Sequence, residues 1–169
     1  MIKITTDTIP EALLKLNEKI VYSKDKTKPL KNILIKINSP EKRPFFHINS
    51  KERTRKIILK YYKGITENTE FKNKIENTIK NLKKRRETII PLNLIFKGYN
   101  LGIYLKIKAE KGKIRPTLFY LICKKIEELN EQIIFTQIFQ EDLSMGLRLE
   151  PGPIIISIKM LIPQIFSKQ

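Results

Sequence analysis

One histidine and one cysteine bound the chemistry open to this chain. His47 follows Phe45-Phe46 in a segment that holds Pro40 and Pro44; a lone imidazole there reads as a surface or packing residue. Cys123 stands between Ile122 and Lys124. A thiol becomes a nucleophile when a base or a cation lowers its pKa, and no motif supplies one, so it reads as a small, half-buried residue within a helix. One His and one Cys cannot build a His/Cys zinc site, and Glu141 with Asp142 lacks a third carboxylate in register. Lys97-Gly98 and Pro151-Gly152 read as turns rather than as loops that cradle phosphate. These residue types lead to no catalytic set, no metal and no cofactor, and the chain does not read as an enzyme.

The chemistry that recurs is cationic. Lys and Arg number 34 against 17 Asp and Glu, a net charge of +17 over 169 residues. The charge is lopsided: residues 1–125 carry about +20, while Ile126–Gln169 holds six acids (Glu127, Glu128, Glu131, Glu141, Asp142, Glu150) against Arg148, Lys159 and Lys168. Such a field repels itself until a polyanion neutralises it, and nucleic acid releases counterions as it does so. Lys51, Arg53, Arg55, Lys56, Lys60 and Lys63 line one expected helix, and Lys72, Lys74, Lys80, Lys83, Lys84, Arg85 and Arg86 the next. Lys106, Lys108, Lys111, Lys113 and Arg115 cover a strand face and the loop after it. Tyr61, Tyr62, Tyr99 and Tyr104 are interleaved with them and could stack on bases or riboses.

The elements that must position these groups are read from periodicity. Thr8-Ile-Pro-Glu11 opens a helix with a cap, a first-turn proline and a capping-box glutamate, and Leu13, Leu16 and Ile20 follow at helical spacing. After a charged loop, Ser23–Lys28, Asn32–Asn38 alternates Ile33, Ile35 and Ile37 against Asn32, Leu34, Lys36 and Asn38, as a half-buried strand does. Ser39–Asn49 reads as a loop. Ser50 caps a helix to Lys63, with Ile57, Ile58, Tyr61 and Tyr62 inward and Gly64 as its stop. Glu70–Lys84 is a second helix with the stripe Phe71, Ile75, Ile79, Leu82, ending on Lys83-Lys-Arg-Arg86 where cations suit the helix dipole. Thr88–Phe96 and Leu101–Lys108 are expected to be strands joined by Lys97-Gly-Tyr-Asn100, with Ile103, Leu105 and Ile107 facing away from Tyr104, Lys106 and Lys108. Glu110–Arg115 reads as a basic loop, Pro116–Asn130 as a helix, and Gln132–Phe139 and Ile154–Ile162 as strands. The order α-β-α-α-β-β-α-β-β implies one α+β domain: a two-layer sandwich of a mixed or antiparallel sheet with helices on one face.

Apolar residues make up 41% of the chain, enough for a core and against disorder. A single cysteine suits a reducing compartment. No apolar run approaches the roughly 18 residues of a membrane span. Met1-Ile-Lys-Ile-Thr-Thr-Asp7 has no apolar h-region and is not rich in Arg, so no signal or transit peptide is expected. The bias to Ile, Lys and Asn fits an AT-rich coding genome, that of an organelle or of an AT-rich microbe.

Against this background Phe96-Lys-Gly-Tyr-Asn-Leu-Gly-Ile-Tyr-Leu-Lys-Ile-Lys108 resembles a hairpin of the L-five family of large-subunit ribosomal proteins, which hold 5S ribosomal RNA. That family has a Phe-Lys opening, a Gly-Tyr-Pro-Ile-Gly core and an alternating strand before a basic turn and an apolar helix. Here the core is Gly98-Tyr-Asn-Leu-Gly102, the turn Glu110–Arg115 and the helix Thr117–Asn130. Ala12–Ile20, Pro29–Asn38, Ser50–Gly64 and Glu150–Phe166 are similar to further segments in the family's order, while the basic helix Glu70–Arg86 looks like an addition. The resemblance implies a structural protein of the central protuberance, with ribosomal RNA (large-subunit RNA and 5S RNA) as ligand. It adds Lys36, Asn38, Lys97, Tyr99 and Asn100 to the RNA-binding candidates. It also implies an acidic C-terminal part, residues 126–169, turned toward protein neighbours, a small-subunit head protein among them. The divergence points to a mitochondrial ribosome, with the cytoplasm of an AT-rich microbe as the other location. The competing readings are another structural ribosomal protein, a DNA-binding partition or regulatory protein, and a nucleotide enzyme. The last rests on an element order that resembles the archaeal branch of thymidylate synthase, which needs a nucleophilic Cys on the strand after its Arg pair. Residues 92–107 contain none.

Overall fold

The computed structural model describes residues 1–23, 28–39, 51–92, 96 and 98–162. Its elements are β1 (Ile2–Thr6), α1 (Ile9–Val21), β2 (Leu30–Ile37), α2 (Lys51–Glu67), α3 (Thr69–Arg85), β3 (Glu87–Pro91), β4 (Tyr104–Glu110), β5 (Lys113–Cys123), α4 (Ile126–Leu147), β6 (Glu150–Pro151) and β7 (Ile154–Leu161). The strands form one seven-stranded mixed sheet in the order β1-β2-β7-β5-β4-β3, with the short β6 beside β5. The α+β class, with helices on one face of the sheet, is as expected from the sequence.

Period-two patterning accounts for the sheet. Ile33, Ile35 and Ile37 of β2, Leu105 and Ile107 of β4, and Ile154, Ile156 and Ile158 of β7 are all buried on the helical side. Each such side chain contributes about 1.5–3 kcal/mol. Helix α1 packs on β1 and β2, α3 on β3 and α4 on β5, while α2 packs on α3 and α4. Strand β7 lies between β2, to which it is antiparallel, and β5, to which it is parallel.

The start of α1 is as read: the Thr8 side chain accepts the Glu11 N–H at 3.4 Å, and Pro10 sits in the first turn. β1 was not anticipated; its Lys-Ile-Thr alternation is short, and it joins the sheet as the parallel partner of β2 across α1. Helix α2 does not stop at Gly64 but runs to Glu67. The boundary is set instead by Asn68, whose side chain accepts the Phe71 N–H and caps α3. The expected loop Ser39–Asn49, the Ser50 cap, His47 and Lys97 lie outside the described residues, apart from Ser39, which continues from β2. The strand expected over Thr88–Phe96 ends at Pro91, and its partner begins at Tyr104 rather than Leu101.

The largest correction falls between Glu110 and Phe139. Lys111 and Gly112 both have positive φ (51° and 75°), the signature of a two-residue type I′ turn whose twist matches that of the strands. The expected basic loop is therefore a tight hairpin with Glu110 opposite Lys113. The expected helix Pro116–Asn130 is strand β5 as far as Cys123, with Ile114, Pro116, Leu118 and Tyr120 inward. Pro116 falls between the pairings Ile114↔Pro151 and Thr117↔Ile155, where β6 gives way to β7. The ladder is broken at that point, so a missing N–H costs least there. The expected strand Gln132–Phe139 lies inside α4. The run Gln-Ile-Ile-Phe-Thr-Gln-Ile-Phe looks strand-like because it is rich in Ile and Phe with no charged face, and a helix buried all round has that composition too.

The connection from β3 to β4 is pinned to β5 at one residue. Leu101 donates its N–H to the Ile122 carbonyl at 2.8 Å and accepts the N–H of Leu121 at 3.1 Å. Its neighbour Gly102 has φ +64°, and a Cβ there would lie 2.7 Å from the Leu121 Cβ. Gly112 also has positive φ but open space around it. Gly112→Ala is expected to cost about 1 kcal/mol from the left-handed backbone alone. Gly102→Ala adds a steric clash with a strand and is expected to cost about 1–3 kcal/mol more. Urea unfolding midpoints of the two variants, compared with the parent, check both values and their order.

Candidate nucleic-acid interface

The cationic candidates fall on two surfaces. The first is the outside of the helical layer. Between Lys51 and Arg86 there are thirteen Lys and Arg against four Glu, a net +9 in 36 residues. Arg55, Lys56, Lys60 and Lys63 on α2, and Lys72, Lys80, Lys83, Lys84 and Arg85 on α3, are exposed, as is Arg86 just after α3. Lys51 and Arg53 belong to the first turn of α2. Lys80 and Lys84 stand one turn apart, a like-charge pair that costs a few tenths of a kcal/mol. The carbonyl end of α3 offsets part of that cost. Arg86 takes a left-handed φ of 59° and returns its N–H to the Leu82 carbonyl, which ends the helix and turns the chain into β3. Lys63 and Lys74 have helical partners in Glu67 and Glu70.

The second surface is the sheet face that carries no helix. Lys36 projects there from β2, Lys106 and Lys108 from β4, and Lys113 and Arg115 from β5. This face is less positive than its lysines suggest. Glu87 binds Lys106 at 2.7 Å and Lys108 at 3.5 Å, and the hydrogen bond from Lys106 holds its carboxyl below the usual range. Glu150 lies 3.6 Å from Lys113, and Glu110 lies 3.6 Å from Arg115. What distinguishes the face is aromatic: Tyr104 and Phe119, directly opposite on β4 and β5, stack with ring centroids 4.8 Å apart and planes 15° apart. Phe119 and Lys159 were not among the sequence candidates. The alternation of residues 113–123 is the signal that would have revealed Phe119, had that stretch been read as a strand.

The remaining candidates separate. Lys111 is exposed at the tip of the β4–β5 turn. Asn38 is exposed and its amide donates to Asp7 Oδ1 at 3.3 Å. Tyr99 is 58% exposed, with the Lys125 ammonium 3.6 Å above its ring. Asn100 is buried and holds the fold together: its Oδ1 accepts the N–H groups of Lys124 and Lys125 at 2.7 and 3.0 Å, and its Nδ2 donates to the Lys125 carbonyl. The Glu128 carboxylate accepts the N–H groups of Tyr99 and Asn100, and a Cβ on Gly98 would sit 2.7 Å from it. The Gly98–Gly102 segment is thus a loop clasped to the start of α4.

Tyr61, read both as an inward residue of its helix and as one that could stack on RNA, is buried. Its ring packs against Phe135, and its Oη donates to Asp142 Oδ2 at 2.7 Å. Burial, reinforced by that carboxylate, pushes the phenol well above its ordinary pKa. Tyr62, expected to face inward, and Tyr104 are exposed. Four acids of residues 126–169 have partners within the chain: Glu128 on the loop, Asp142 on Tyr61, Glu141 on the Gln137 amide at 3.1 Å, and Glu150 on Lys113 at the surface.

Among the described residues no three of His, Cys, Asp and Glu gather where they could hold a metal, and no helix is long and apolar enough to cross a membrane. Comparison with the known protein families finds no match, and a search of the curated proteins finds no similar chain.

Cys123 closes β5 and is fully buried, not the half-buried helical residue expected. Burial, with Glu128 nearby, pushes its thiol up to about 12. At neutral pH it is a protonated thiol with no access to solvent. In the folded protein Cys123 is expected to be silent to a thiol-disulfide colour reagent at pH 7 and pH 9, and to react fully in denaturant. Rapid reaction of the native protein at pH 7 would refute this assignment.

Proposed function

We propose that this protein is a structural, non-catalytic RNA-binding component of the large ribosomal subunit, of the L-five type and working in a mitochondrial ribosome. The observation that carries the reading is the net +9 of residues 51–86, which end in four consecutive exposed cations, Lys83–Arg86. Cations spaced along two helices suit a phosphate backbone, which they engage by charge and shape. A-form RNA hides most base identity in its deep major groove, so shape and phosphate contacts dominate such recognition. The L-five assignment is supported by the sequence resemblance of Gly98–Gly102, which here forms a loop within the long connection between β3 and β4. The stretch compared with the family's apolar helix is strand β5 as far as Cys123, so that part of the resemblance drops away. Ribosomal RNA, including 5S RNA, is the proposed ligand, and neighbouring ribosomal proteins, a small-subunit head protein among them, are the proposed partners.

The test is sedimentation of the tagged native protein through sucrose at low salt and at about 0.5 M salt, where phosphate contacts weaken steeply. Migration with the large subunit at both is expected; a slow, free pool at both would overturn the ribosomal assignment. Changing Lys83, Lys84, Arg85 and Arg86 together to Gln is expected to reduce the slope of log affinity against log salt by about 3 for structured RNA, close to one per lost phosphate contact. An unchanged slope would remove α3 from the interface.

A further inference from the structure

The uncovered face of the sheet holds a cleft of about 530 Å³, built by one row of side chains. Leu34 pairs with Ser157, Ser157 with Phe119, and Phe119 with Tyr104, so these four stand side by side across β2, β7, β5 and β4. Neighbouring strands are about 4.8 Å apart. Ser157 is the small member of the row, and it leaves a slot between Leu34 and the stacked rings of Phe119 and Tyr104. Met1 and Leu121 add apolar lining, and Asn32 and Lys159 bring polar side chains to it.

Asn32 carries a second, independent signal. It lies inside β2 with φ +53°, a left-handed conformation that few residues adopt within a strand and that Asn tolerates best after Gly. The pairing of β2 with β7 steps from Lys31↔Met160 to Ile33↔Ile158, passing over Asn32 and Lys159. The ladder is interrupted beside the cleft, at the two residues that give it an amide and an ammonium. Backbone strain of this kind persists where the surrounding structure enforces it and clusters at binding sites.

We infer that this cleft takes an unpaired nucleobase of an RNA strand, stacked against Tyr104 and read at its edge by Asn32 and Ser157, with Lys159 on the adjoining phosphate. The lining fits a flat ligand with apolar faces and a polar rim. Tyr104 is 41% exposed, so a base extends the existing Tyr104–Phe119 stack. A Ser hydroxyl and an Asn amide offer donors and acceptors to a base edge, and unpaired bases are the part of RNA that proteins read in this way. The occupant's charge is set by the chain's own excess of cations, with Lys3, opposite Leu34 on β1, exposed beside the cleft. The inference deepens the RNA-binding reading above and rests on it, and it assigns the two faces different tasks: α2 and α3 hold phosphates, and the sheet holds a base.

The experiment compares the full chain's affinity for a short single-stranded RNA and for the duplex of the same sequence, with Tyr104→Leu, Ser157→Phe and the Lys83–Arg86 quadruple Gln variant alongside. Thermal melting confirms that each variant folds. Tighter binding of the single strand is expected. Tyr104→Leu, which keeps the apolar bulk and removes the ring, and Ser157→Phe, which fills the slot, are each expected to weaken single-strand binding roughly tenfold and to leave duplex binding unchanged. Ultraviolet cross-links from the single strand are expected on Tyr104 or Phe119. Equal affinity for the two RNAs, no effect of either sheet variant and cross-links confined to α2 and α3 would overturn the cleft assignment. The RNA-binding reading would then stand, and the slot would be left to a protein neighbour. No salt-dependent affinity for either RNA would overturn both.

Discussion

The fold depends on a helix with almost no outside. From Leu129 to Gln140 every residue of α4 except Glu131 is buried, because the helix has the sheet on one side and α2 and α3 on the other. Phe135 is the meeting point, with Tyr61, Phe71, Phe96 and Phe139 around its ring. Such a helix also carries polar groups in the interior, some of them paired and others, such as the Oε1 atoms of Gln132, Gln137 and Gln140, without a partner in the protein. Gln140 donates to the carbonyls of Ile114 and Gly152 at 2.7 and 2.8 Å, joining the helix to β5 and to the turn before β7. Thr136 returns its hydroxyl to the Gln132 carbonyl. Each hydrogen bond adds only about 1 kcal/mol net, but an unmade one in this interior costs more. The contacts therefore fix the register of α4 more than they deepen its stability.

The same arrangement sorts the charges. Of the six acids after residue 125, Glu127 and Glu150 are exposed, and the others are partly buried. Glu128, Asp142 and Glu141 hold a loop, a phenol and an amide, and Glu150 meets a lysine across the sheet edge. The cations stay outside. With twice as many cations as anions, the field toward solvent stays positive even though many acids are exposed too, and a polyanion can meet it there.

What could be read in the sequence was what has a strong local signal. Thr8-Ile-Pro-Glu carries its own cap, Ile33, Ile35 and Ile37 alternate cleanly, and Phe71, Ile75, Ile79 and Leu82 repeat at helical spacing, so α1, β2 and α3 fell near their places. The centre of the molecule is hard to read for two physical reasons, the first being that burial on all sides erases periodicity. Helix α4 lacks a polar face, so its Ile and Phe run looked like a strand. In β5, Pro116 resembled a helix start, though the break between β6 and β7 accommodates it. The exposed cations of α2 and α3 were legible because composition alone marks them. The Tyr104–Phe119 stack was not, because it exists only once two strands are in register. The family resemblance makes Asn100 an RNA contact; only tertiary structure shows that its side chain is committed to Lys124 and Lys125.

The placement of β7 has a consequence for how the molecule is made. Strands β1 and β2 on one side and β3, β4 and β5 on the other share no pairing except through β7, which enters between β2 and β5. Until that segment leaves the ribosome that synthesises it, the nascent chain holds two half-sheets with open inner edges. Open edges are templates for pairing with other chains, and contacts between distant parts of a sequence form slowly. Closure of the sheet is therefore a late, single event, and the window before it is when this chain is most exposed to aggregation and most dependent on a chaperone or on prompt capture by its ligand.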